Sequence, residues 1–121
     1  NSAKHKEAQA AMKKAQLDLA TAQERVAQQV NDAWLGTQTA QRQITALTRA
    51  LKASEAQLDA TQTGQEVGHR TLLDVLNAQN QTTYTRIQLE SAKQNYLLSY
   101  LRLAVLVAEG DDKTVTQLLA K

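Results

Sequence analysis

The sequence predicts an all-α fold: a long antiparallel coiled-coil helical hairpin followed by a short C-terminal helix. Three observations predict it. The 121 residues include no proline, so no position breaks a helix for want of a backbone N–H. Apolar and small residues recur at alternating steps of three and four along two long stretches, the spacing of a helix face. Between those stretches, 64–70 holds two of the four glycines, directly before a strong helix-start signal.

Composition narrows the class further. The length allows one domain at most. Only 3% of residues are aromatic, Phe is absent, and Trp34 and three tyrosines supply every ring. A compact globular core draws much of its buried area from such rings, so the pattern fits a helical rod that packs against neighbouring helices. The net charge is +2, with both signs interspersed and no basic stripe carrying aromatics, which argues against nucleic-acid binding. No apolar run approaches the roughly 18–20 residues that span a bilayer as a helix; the longest, Tyr96 to Ala108, is interrupted by Arg102. The opening NSAKHKEAQ is polar and shows no secretory signal. With no cysteine, the redox compartment is left open.

The first helix is expected over about 3–63. Its ladder is Ala15, Leu19, Ala22, Val26, Val30, Ala33, Thr37, Ala40, Ile44, Leu47, Leu51, Ser54, Leu58, the seam of a left-handed coiled coil. A helix of about 55–60 residues would be about 85 Å long, too long to be stable without a partner. Many rungs are small, so helices can approach closely while each rung buries little area. Leu17, Ala20, Trp34, Leu35 and Ala46 widen the apolar face, which suits contact with partners on two sides. Gly36 marks either a close crossing or bend, or a tolerated glycine costing about 1 kcal/mol relative to alanine.

The turn is expected at 64–70, where Gly64 and Gly68 can take the positive φ that ends a helix. Thr71 then opens T-L-L-D, with Asp74 in the first turn. That is the Ser/Thr-x-x-acid signature of a helix start, and the dipole there favours a negative charge. The second helix is expected over about 71–108. One stripe on it is Leu73, Leu76, Asn80, Thr83, Ile87, Ser91, Gln94, Leu98, Leu101, Val105; a second is Leu89, Ala92, Tyr96, Tyr100, Leu103, Val107. Gly110 fits the position just past a helix end. Asp111 or Asp112 would then cap a short final helix, Thr114 to Ala120, within a C-terminal segment 111–121. Paired from the turn, the second helix leaves the N-terminal third of the first without a partner, which implies self-association or further sequence.

Reactive chemistry is sparse. His5 and His69 are the only histidines and read as solvated or turn residues; no spacing suggests a metal site. Gly64-x-x-x-Gly68 is neither a phosphate loop nor a dinucleotide fingerprint. No hydroxyl has a paired base, so the chain reads as neither an enzyme nor a cofactor carrier. Arg70 and Asp74 stand out at the turn. One account is a local salt bridge with capping, contributing about 0–1 kcal/mol if exposed. The other is a protruding turn whose charges meet another subunit or line an opening.

The stretch Val67-Gly68-His69-Arg70-Thr71-Leu72-Leu73-Asp74-Val75-Leu76-Asn77-Ala78-Gln79, the run AKQNYLLSYLRL over 92–103 and Gly110 together resemble the second repeat of the TolC family of outer-membrane efflux and secretion channels. NSAKHKEAQ resembles the point where that family's chain leaves its β-barrel for the long periplasmic helix. The resemblance covers nearly all of this sequence but a minor part of a typical member, so the chain reads as a piece of such a protein.

The resemblance implies a stave of a trimeric periplasmic α-barrel in a Gram-negative outer-membrane protein, touching the membrane only through a β-barrel absent from this sequence. It implies homotrimerisation, a periplasmic adaptor and an inner-membrane transporter as partners, and exported small molecules or proteins as cargo. The turn would be the tip gate. Arg70 corresponds to an arginine that links to acidic residues on a neighbouring hairpin, and Asp74 to an aspartate of an acidic constriction ring. Two positions depart from the family: its tip tyrosine is Gln65 here, and a second ring carboxylate of some members is Asn77. The competing reading is an adaptor hairpin or a plain coiled-coil module. Arg70-Thr71-Leu72-Leu73 matches only the first half of the adaptor tip pattern, and Asn80 stands where its serine is expected.

Overall fold

The computed structural model describes residues 1–120. Two helices make up the fold: α1, Ser2–Glu66, and α2, Leu72–Leu119. The chain divides into two units, Leu35–Leu101 and Asn1–Trp34 with Arg102–Lys121.

In the unit Leu35–Leu101 the helices pair antiparallel from the turn. On α1, the ladder positions Thr37, Ala40, Ile44, Leu47, Leu51, Ser54 and Leu58 are all buried or half-buried, and the series continues to a buried Thr61. On α2, the covered positions are Val75, Ala78, Thr82, Thr85, Leu89, Ala92, Tyr96 and Ser99, again at alternating steps of three and four. The seam is small-residue and partly hydroxylic, with Thr37, Thr61, Thr82 and Thr85 among its most buried members.

Burying a hydroxyl is tolerable only when it is bonded. Thr61 and Thr85 each donate to the carbonyl four residues back, at 2.7 Å to Gln57 and 2.9 Å to Gln81. Thr82 shares its proton between Ala78 O at 3.0 Å and Ser54 O on the facing helix at 3.2 Å. That second bond ties the two helices in register at a position where an aliphatic side chain supplies only packing. Arg86 and Glu55 add an interhelical ion pair at 3.6 Å. Both side chains are half exposed, so the pair contributes at most about 1 kcal/mol.

In the other unit, Val26, Val30 and Ala33 of α1 and Leu103, Leu106 and Gly110 of α2 are half-buried, whereas residues 1–25 are exposed throughout. The ladder rungs Ala15, Leu19 and Ala22 are thus exposed. Gly110 faces Val26: a Cβ built on it would lie 3.7 Å from Val26 Cγ1.

One expectation for α2 changes, and a choice it left open is settled. The helix end placed at Gly110, with a separate helix beyond it, gives way to a continuous α2 that runs through Gly110 to Leu119. Gly110 occupies a seam position against α1, and packing there outweighs the roughly 1 kcal/mol helix penalty of glycine. Of the two stripes, the one beginning at Leu73 is not the seam. It lies two residues out of step with the covered positions, about 200° round the helix. Accordingly Leu73, Leu76, Ile87, Leu98, Leu101 and Val105 remain exposed. Of the second stripe, Leu89, Ala92, Tyr96 and Leu103 join the seam, while Tyr100 and Val107 stay outside it. Gly36 has open space where a Cβ would project, so no close crossing occurs there.

Candidate functional site

Every residue singled out for the tip lies in the unit Leu35–Leu101. The chain leaves α1 through two crossed hydrogen bonds. His69 N–H donates to Gly64 O at 2.8 Å and Gly68 N–H to Gln65 O at 3.0 Å, the pairing that closes a helix when the residue between is left-handed. Gly68 supplies that conformation with φ of 82°. Arg70 N–H also reaches Gly64 O, at 3.1 Å. One carbonyl thus accepts from two successive donors, and the backbone from 64 to 70 is tightly wound.

Entry into α2 is equally well bonded. Asp74 N–H donates to Thr71 Oγ1 at 3.1 Å, and Thr71 N–H donates to Asp74 Oδ2 at 2.9 Å. This reciprocal pair satisfies two backbone donors that a helix start otherwise leaves to water. The Thr71 backbone N–H, then the Thr71 hydroxyl, and last the charge of Arg70 hold the Asp74 carboxyl below its ordinary range.

A carboxyl depressed in the folded state lends stability above its unfolded pKa, and that stability is lost as pH falls through the folded value. Asp74→Asn is therefore expected to lower the thermal midpoint at neutral pH. The gap to the parent chain should close in acid, below the ordinary Asp range near 4. Calorimetry or circular dichroism from pH 7 to pH 2 reads this directly; a gap unchanged by acid would show that the carboxylate is not a cap.

The local salt bridge considered for Arg70 and Asp74 is not present: Asp74 binds Thr71 instead, and no ion pair or hydrogen bond engages the Arg70 guanidinium among the described residues. Arg70 and His69 are exposed, as is Asn77; Gln65 and Asp74 are half-buried. The Arg70 stem crosses α1 at Gly64, so close that a Cβ on Gly64 would stand 2.7 Å from Arg70 Cγ. His5 is exposed near the start of α1, and no group of three His, Cys, Asp or Glu among the described residues could hold a metal. No described helix is long and apolar enough to cross a membrane. Neither the Gly64–Arg70 packing nor the Thr82–Ser54 bond is visible in the sequence pattern. The only hint of the second was a threonine at heptad spacing from Val75 and Leu89.

The model of the outer membrane efflux protein family matches residues 1–109, covering α1, the turn and α2 as far as Glu109. The chain belongs to the outer membrane efflux protein family. A curated member, outer membrane efflux protein BepC of Brucella suis biovar 1, is 31% identical over 85 residues, 70% of this chain and 19% of the relative. The chain thus spans about a fifth of the length of that relative. No solved structure matches it significantly. The resemblance read from the VGHRTLLDVLNAQ stretch is borne out at family level, and the family assignment displaces the adaptor-hairpin reading.

Proposed function

We propose that this chain is a periplasmic tunnel stave and tip gate of a trimeric outer-membrane channel for drug efflux or type I protein secretion, working with a periplasmic adaptor and an inner-membrane transporter. Family membership supports the channel. The back-to-back stripes of α2 support the stave, because a second exposed apolar face opposite the seam suits another helix on the far side.

The observation that carries the gate is at Arg70. Its backbone is bonded to Gly64, its guanidinium is exposed, and among the described residues no hydrogen bond or ion pair engages that cation, the Asp74 carboxylate feeling it only through its charge. An arginine held this way presents a planar fork of donors to a carboxylate on a neighbouring hairpin. Asp74 is bound to Thr71, so its role in a constriction ring is carried by the carboxylate edge left over from capping. Gln65 and Asn77, standing for a tyrosine and a carboxylate of the family pattern, make a gate that depends more heavily on Arg70. No covalent chemistry is involved: untwisting of the hairpins breaks the Arg70-centred links and widens the pore.

The test is Arg70→Glu in the full-length channel. A unit-charge pair about 4 Å apart is worth about 1 kcal/mol in water and about 4 kcal/mol at an effective dielectric of 20. Reversing the sign at each hairpin should therefore favour the open state by tenfold or more. Single-channel conductance in reconstituted bilayers is expected to rise severalfold; unchanged conductance would remove the gating role.

A further inference from the structure

Gly64 does more than end a helix. Its φ is not left-handed, since Gly68 alone has positive φ among the described residues, so its backbone does not demand glycine. What demands glycine is space: a Cβ would meet Arg70 Cγ at 2.7 Å, Cβ at 3.5 Å and Cδ at 4.0 Å. The first distance is a clash with the root of the side chain rather than its mobile end. Relief requires rotation about the Arg70 Cα–Cβ bond, which swings the guanidinium several ångströms because the rest of the stem follows.

We propose that Gly64 is the positioning residue for Arg70: the missing Cβ forms a seat for the aliphatic stem and thereby aims the guanidinium at the tip. Long cationic side chains commonly lay their methylenes on a surface while the charge stays in water. Here the seat lies on the α1 turn whose carbonyl also holds the Arg70 amide, so backbone and stem are fixed by one residue. The consequence for gating rests on the function proposed for Arg70; the seat itself does not.

Two measurements separate the seat from the gate. In the 121-residue chain, nuclear Overhauser contacts are expected between the Gly64 α-protons and the Arg70 γ-protons. Gly64→Ala should shift the Arg70 side-chain resonances while helix content is kept, because alanine is the better helix former. The thermal midpoint adds a cycle: Gly64→Ala should be more favourable in an Arg70→Ala background than with Arg70 present, since removing the stem empties the seat. In the full-length channel, Gly64→Ala should raise conductance in the same direction as Arg70→Glu, and should change nothing further once Arg70 is alanine. Absence of the proton contacts, or additive midpoints in the cycle, overturns the seat. Contacts and coupling present while neither Gly64→Ala nor Arg70→Glu alters conductance would uphold the seat and remove the gate.

Discussion

Leu89→Ala is expected to destabilise the chain by about 2–5 kcal/mol. Leu89 is 5% exposed and, among the described residues, is the largest of the buried apolar side chains, the others being Ala40, Val75 and Ala92. Three buried carbons alone transfer with about 0.8 kcal/mol each. The seam neighbours Thr85 and Ala92 are short, and the Thr85 hydroxyl is held by Gln81 O, so they cannot fill the hole. Leu98→Ala provides the contrast. It removes the same atoms from the same helix, but Leu98 is 60% exposed on the opposite stripe, and a surface change of this kind stays within about 0.5 kcal/mol.

Urea unfolding followed by circular dichroism, at concentrations where the chain is monomeric, measures both. With a slope of about 1–3 kcal/mol per molar, the Leu89 variant should show a midpoint lower by about 1 M or more. Equal shifts for the two variants would refute the assignment of the α2 seam.

Gly68→Val should be the most damaging single change at the turn. The left-handed conformation costs an ordinary residue about 1–2 kcal/mol, and a β-branched side chain fits it worse still. At φ of 82° the valine would either accept that strain or undo the crossed bonds from His69 and Gly68 to the last turn of α1. Hydrogen exchange should then show faster amide exchange at His69 and Arg70, with a fall in the unfolding midpoint. Gly36→Ala is the control: its Cβ would enter open space, and the helix should gain up to about 1 kcal/mol. A Gly68→Val chain as stable as its parent would mean that the turn does not depend on its left-handed residue.

The turn was legible because its chemistry is local. Gly68, Thr71 and Asp74 act on backbone groups within five residues, so their order along the chain is itself the geometry. The α1 ladder was legible for a related reason: from Val26 to Leu58 its heptad runs in one phase, and a helix with one such face has one way to pack. The α2 pattern carried two phases, and periodicity says that a face exists without saying what covers it. The stripe from Leu73 is richer in leucine at both ends than the true seam, yet the seam is the one built of Ala78, Thr82, Thr85 and Ala92, since close approach favours small residues. Arg70 was visible as a charge at a turn, but the seating of its stem on Gly64 depends on side-chain direction.

The sequence by itself determined the two long helices, a turn placed at 64–70 between them, the cap at Thr71 and the family to which the chain belongs. Those follow from propensity, spacing and short-range hydrogen bonding, which need no partner. Only the tertiary structure decided which stripe of α2 meets α1, that Gly110 continues a helix instead of ending it, and where the Arg70 cation stands. Each of those turns on what lies across the seam, and a glycine's helix penalty of about 1 kcal/mol is smaller than what facing side chains return when they pack.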